Sequence, residues 1–166
     1  MIVVATKNFR LVDELLQSSD NASFRALVEQ WGNKPTREVL RYLSSELNRE
    51  YFQLWNIAQI LLGGTAALML KRDAEHRRAR ILVVVSLMLS ASMLMSLTPM
   101  IVRLGRSLDF VPREPPPEGL SRFWVLHVAY TVIECLKLVL LGLAAFWLAR
   151  GPGSRHAAAE PEPVVS

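Results

Sequence analysis

Residues 123–149, FWVLHVAYTVIECLKLVLLGLAAFWLA, decide the fold of this chain. A helix that rises about 1.5 Å per residue over this length crosses a hydrocarbon core of about 30 Å with some tilt. Trp124 and Trp147 lie near its two ends, where membrane helices carry their aromatic belts. The stretch predicts a transmembrane helix and, with it, a small all-α integral membrane protein.

Five polar side chains interrupt this apolar helix at spacings i, i+3, i+4, i+7 and i+10. At about 100° per residue these spacings place all five on one face. The polar stripe consists of His127, Tyr130, Thr131, Glu134 and Lys137. An ionised side chain that faces lipid at the bilayer centre costs about 2.5–3.5 kcal/mol. We therefore expect the stripe to face other helices.

The composition excludes most soluble classes of protein. The 166 residues are 51% hydrophobic and their mean hydropathy is +0.24, which is too apolar for an ordinary soluble domain. The net charge of +4 would indicate nucleic-acid binding if the basic residues gathered on one solvated face. The densest basic run, residues 71–80, lies instead between two apolar segments. We expect no nucleic-acid partner. A single cysteine, Cys135, excludes an intrachain disulfide framework and a thiolate metal site.

Residues 1–50 are expected to form an extramembrane cap of short amphipathic helices. Apolar residues recur on single helical faces, and Gly32 and Pro35 are typical of a helix end and a helix first turn. The shared faces are Phe9, Val12 and Leu16, then Phe24, Leu27, Val28 and Trp31. From residue 36 the pattern continues without a breaker, which predicts one helix over residues 36–70.

The transmembrane bundle is expected over residues 51–150, and its first span over residues 51–70. One face of this span carries polar and small residues. They are Arg49, Gln53, Asn56, Gly63 and Ala67, with Gln59 at the edge. The Gly63-x-x-x-Ala67 pattern lets a partner helix approach closely, within the chain or in a homo-oligomer. Helix packing is favoured over a ligand role.

The second span is expected over residues 81–102, with Ser86 and Ser90 on one face. Pro99 removes one helical hydrogen bond and predicts a bend near Thr98. Four methionines of this region could form a copper path, but thioethers are ordinary fillers of apolar helices, and packing is favoured. They are Met88, Met93, Met95 and Met100.

Proline-rich residues 103–122 predict an extended connector, and residues 151–166 predict a disordered tail. The 71–80 loop has five basic residues, whereas the connector has four, diluted by three acidic ones. The positive-inside rule then places the 71–80 loop and the tail in the cytoplasm, and the connector and residues 1–50 outside. No export signal is visible in residues 1–50. We hypothesise an additional N-terminal span, of which residues 1–5 are a remnant, or a late start site.

Three short motifs carry a family resemblance. They are SLTPMI at residues 96–101, F-x-x-L-H at residues 123–127 and Tyr-Phe at residues 51–52. Over residues 49–149 the chain resembles small bacterial inner-membrane proteins with a domain of unknown function, related to eukaryotic transmembrane protein 205. The resemblance implies a four-helix bundle and no known catalytic residues. This chain departs from it by lacking most of a first helix and by its residues at 128–129.

The polar stripe supports two hypotheses. In the favoured one, it hydrogen-bonds across to the polar faces of the other spans and fixes their packing. In the alternative, a transporter of small solutes or protons and ions, Glu134 exchanges protons, Lys137 holds its charge state and His127 lies nearer the outer mouth.

Enzyme and cofactor functions are not expected. The chain lacks G-x-S-x-G, Walker, G-x-G-x-x-G and H-E-x-x-H motifs. Only His127 lies within a span, which disfavours bis-histidine haem ligation, so no metal or cofactor is expected. The sequence favours a structural or accessory membrane component. Its expected partners are the lipid bilayer and a second copy or another membrane protein.

Overall fold

Helices account for nearly all of the chain that the structure describes. This computed structural model describes residues 2–72, 75–112 and 114–150, and side chains from residue 7 onward. Within these ranges the chain forms six α-helices and no strand. They are α1 (Ile2–Ser18), α2 (Ala22–Trp31), α3 (Asn33–Met69), α4 (Arg77–Ser92), α5 (Thr98–Ser107) and α6 (Leu120–Ala149). A 3-10 turn, Leu70–Arg72, follows α3, and a π-helix, Met93–Leu97, joins α4 to α5.

Three continuous helical rods are long and apolar enough to cross a membrane. They are Asn33–Arg72, Arg77–Ser107 and Leu120–Ala149. The predicted all-α membrane bundle with three spans and short N-terminal helices is confirmed. The predicted tail over residues 151–166 lies outside the described residues, as do the side chains of the hypothesised remnant at residues 1–5.

Local capping explains where the N-terminal helices begin and end. The Asn21 side chain accepts a hydrogen bond from the Phe24 N–H at 3.0 Å and starts α2. Gly32, with a φ of 88°, ends α2 by donating its N–H to the Val28 carbonyl at 2.8 Å. Helix α3 then begins at Asn33, three residues earlier than predicted, because Pro35 fits within the first helical turn.

Helix α1 lies antiparallel along the first half of α3. The Asn8 amide donates to the Asn48 side chain at 2.8 Å. Asp13 pairs with Arg37 at 3.3 Å and with Arg41 at 3.2 Å. Position numbers rise along α1 as they fall along α3, so the two helices form an antiparallel pair on the N-terminal half of α3.

Helices α3 and α6 run parallel, and the α4–α5 rod runs antiparallel to both. One core cluster consists of Phe52, Met93, Ile101 and Tyr130, and a second of Ala79, Val83 and Ala144. A side chain added at Gly63 would meet Leu87 of α4 at 3.4 Å, and Ala67 packs on the second cluster. The small-residue pattern of α3 therefore allows close packing within the chain.

The break caused by Pro99 takes the form of a π-helix. Thr98 donates its backbone N–H to the Met93 carbonyl, a spacing one residue longer than in an α-helix. The irregularity thus lies directly before Thr98. Pro99 has no N–H to donate within the helix, and the wider turn accommodates the missing hydrogen bond. Met93 points into the core while Met95 is 79% exposed, so the two side chains do not line one common path.

Met93→Ala should destabilise the bundle by about 2 kcal/mol, because the truncation leaves a cavity in the first core cluster. Thermal unfolding of the purified chain in detergent would measure this loss of stability. Met95→Ala in the same π-helix is the matched control, with an expected change within about 0.5 kcal/mol, because Met95 points outward. Equal losses in the two variants would contradict this packing.

Candidate functional site

The polar stripe of α6 faces the other helices. Tyr130 and Lys137 are buried, and His127, Thr131 and Glu134 are half-buried. Apolar residues on the opposite face of α6 point outward: Val128, Val132 and Leu138 are 60%, 61% and 67% exposed. The helix therefore presents its apolar surface to the surroundings and its ionisable groups to α3 and α4.

Four side chains from three helices form one hydrogen-bonded group, the midspan cluster, which consists of Gln59, Ser90, Glu134 and Lys137. Lys137 Nζ donates to Gln59 Oε1, to Ser90 Oγ at 3.2 Å and to Glu134 Oε1 at 2.7 Å. Gln59 Nε2 donates in turn to Glu134 Oε2 at 3.1 Å. Ser90 Oγ lies 3.1 Å from both Gln59 Oε1 and the Ser86 carbonyl. Each membrane-spanning rod contributes at least one member.

The hydrogen-bonding capacity of Lys137 is fully used inside the chain. An ammonium group has three donors and no acceptor, and each of the three partners lies on a described helix. The Glu134 carboxylate also balances its charge, so the midspan cluster is neutral as a whole. Such an arrangement satisfies a buried cation without water, lipid headgroup or ligand.

A second buried polar group lies one turn away, around Asn56. The Asn56 amide donates to Thr98 Oγ1 and to the Phe52 carbonyl, each at 2.9 Å. Its Oδ1 atom and the Tyr130 hydroxyl are buried without a hydrogen-bond partner among the described residues. Tyr130 lies near both Asn56 and Glu134. Thr98, Asn56 and Tyr130 therefore extend a line of polar groups from α5 towards the midspan cluster.

His127 and Thr131 do not join the midspan cluster. His127 packs among aromatic rings, with its centroid 4.3 Å from that of Phe123 and 6.0 Å from that of Phe52. Its Nδ1 atom lies 3.3 Å from the Phe123 carbonyl. Thr131 donates to the His127 carbonyl at 2.9 Å. Both side chains are satisfied within their own helix, so the stripe divides into an aromatic part and an ionic part.

Arg49 contacts acidic residues at the end of the bundle and does not reach the stripe. It pairs with Glu46 at 2.5 Å and with Asp109 at 2.8 Å, and Glu46 also pairs with Arg106 at 3.1 Å. We call these four residues the boundary network. The i, i+3 spacing of Glu46 and Arg49 indicates the first pair, but no sequence pattern indicated Asp109, which lies 60 residues away in the connector.

Of the polar residues predicted to face the stripe, only Gln59 and Ser90 hydrogen-bond to it. Gln53 is exposed and lines a surface groove instead. Two pockets are described, one beside α5 and one between α1 and α3, and neither has Glu134 or Lys137 in its lining. The described residues hold no group of three or more histidine, cysteine or acidic side chains suited to a metal ion. Cys135 is exposed on the outer surface of α6.

No protein-family model, curated protein or solved structure matches this chain. The functional argument therefore depends on the geometry of the chain's own residues. The resemblance over residues 49–149 stays a prediction.

Lys137→Met should destabilise the bundle by about 3 kcal/mol, because it leaves Glu134 charged and without its cation. The double variant Lys137→Met with Glu134→Gln should lose only about 1 kcal/mol, because no unpaired charge remains. Thermal unfolding in detergent of Lys137→Met, Glu134→Gln and the double variant gives the coupling energy between the two charges. Leu138→Met, on the outer face of α6, is the control for introducing methionine. Additive losses would show that the two charges are not coupled.

Proposed function

We propose that this protein is a non-enzymatic structural or accessory component of a bacterial inner membrane. The observation that supports it is the complete use of the Lys137 donors by Gln59, Ser90 and Glu134. These bonds join one position on each rod and thereby fix the relative depth and rotation of all three. A group used in this way serves the packing of the bundle.

We propose a topology with the 71–80 loop and the C-terminus in the cytoplasm. The support is the excess of basic residues in that loop over the connector. Arg78 also lies over the Trp147 ring at 4.7 Å from the guanidinium carbon to the centroid. A basic residue stacked on an interfacial tryptophan is typical of the cytoplasmic end of a transmembrane helix. The prevalence of arginine over lysine is typical of a GC-rich bacterial genome and favours that source.

An accessory component acts through contacts with other chains, so we propose association with a second copy or with another membrane protein. Gly64 of α3 and Gly142 of α6 have no atom within 4 Å of where a Cβ would lie. Their backbones would allow a neighbouring helix to approach closely.

A proton or ion relay is the second candidate function. It is favoured by the buried Asn56 Oδ1 and Tyr130 hydroxyl, which have no partner among the described residues. Water between these groups would connect Thr98 through Tyr130 to Glu134. His127 would take no direct part, because it lies among aromatic rings.

Glu134→Gln separates the two candidates. For a structural role we expect lower abundance in the membrane fraction and a lower unfolding temperature, with a proton leak of reconstituted vesicles equal to that of the wild type. Quantitative immunoblotting and a pH-sensitive dye inside the vesicles measure these. Glu118→Gln, at an exposed carboxylate in the connector, is the matched control. Normal abundance together with a loss of proton flux would overturn the structural role in favour of the relay.

A further inference from the structure

A groove lies beside α5, where the α4–α5 rod faces α3. Its volume is about 460 Å³, within the range of about 300–1,000 Å³ typical of small-ligand sites. Leu94 of the π-helix, Pro99 and Val102 form apolar walls, and Gln53, Arg103 and Arg106 supply the polar atoms. The π-helix and Pro99 shape the groove, and irregular turns of this kind are frequent at functional sites.

The charges of the groove are unbalanced. Arg106 is paired with Glu46 through two hydrogen bonds, of 3.3 and 3.1 Å. Arg103 is exposed and has no ion pair or hydrogen bond with any residue that the structure describes. The Gln53 amide is likewise exposed and has no hydrogen-bond partner within the described ranges. One full positive charge and one amide therefore remain available to a ligand.

The position of Arg103 indicates the source of that ligand. It directly follows the apolar stretch of residues 81–102, where a helix that spans the membrane would reach the lipid headgroups. Below it, Leu94, Pro99 and Val102 offer an apolar surface of the kind that an acyl chain covers. A guanidinium binds a phosphate through two parallel hydrogen bonds, and an amide can donate to the same oxygens.

We propose that this groove binds an anionic phospholipid, with the headgroup phosphate on Arg103 and Gln53 and an acyl chain along Leu94, Pro99 and Val102. The net negative charge of the lipid matches the single unpaired positive charge of the groove. The site is independent of the midspan cluster and does not rest on the proposed structural role.

The test uses the full chain purified in a mild nonionic detergent and titrated with fluorescent phosphatidylglycerol or fluorescent phosphatidylcholine. Phosphatidylglycerol should bind more tightly. Arg103→Ala should weaken the binding of phosphatidylglycerol about tenfold, because one charge-assisted contact with the phosphate is lost. Arg103→Lys should weaken it less, because lysine keeps the charge and loses the paired geometry. Gln53→Leu should also weaken it, because the amide would no longer donate to the phosphate.

Arg122→Ala is the matched control. Arg122 is exposed at the start of α6, near the same boundary, and its removal changes the net charge by the same amount. Equal losses in Arg103→Ala and Arg122→Ala would overturn the proposal in favour of diffuse attraction to a basic surface. Equal affinity of the wild type for the two lipids would overturn it as well. Displacement of the lipid by millimolar inorganic phosphate would show a site for free phosphate and would overturn the lipid assignment.

Discussion

The charge of one lysine inside an apolar bundle constrains the whole structure. Lys137 is 2% exposed and lies near the middle of α6, so its ammonium needs its counter-charge and its acceptors from the protein. One partner lies on its own helix, one on α3 and one on α4. Sliding or rotating any rod by one residue would break at least one of these bonds. The packing of Gly63 on Leu87 and of Phe52 on Tyr130 follows from the same alignment.

Polar groups elsewhere in the bundle follow the same rule of local balance. At the boundary, Arg49 and Arg106 are matched by Glu46 and Asp109, two cations by two anions. In the midspan cluster one cation meets one anion. Arg103, in the groove beside α5, has no such partner among the described residues, and the phosphate of the proposed lipid would supply its counter-charge.

The sequence was sufficient to predict the helices, except that α5 continues to Ser107 and α6 begins at Leu120, both inside the predicted connector over residues 103–122. It predicted only part of the site. The stripe of α6 is readable because helical periodicity alone places Glu134 and Lys137 on one face. The length of α3 is readable because nothing between Pro35 and Met69 breaks a helix. Which residues lie opposite the stripe depends on how the helices rotate about one another, and local pattern does not encode that. Gln59 was predicted at the edge of the polar face of α3, but it lies at the centre of the midspan cluster. Arg49 pairs instead with Asp109, and the position of Asp109 depends on the fold of a proline-rich connector.

The full use of the Lys137 donors also limits how a proton could move through this bundle. Protonation of Glu134 would remove the only counter-charge that the midspan cluster offers to Lys137, and an uncompensated cation in a low-dielectric interior is costly. A relay through Glu134 would therefore require Lys137 to lose its proton in the same event, or water to enter beside it. Gln59 and Ser90 oppose the first alternative, because both accept hydrogen bonds from the ammonium. The unpartnered Tyr130 hydroxyl is the nearest place where water could support the second. The balance of these contacts favours a cluster that holds helices together over one that passes protons along.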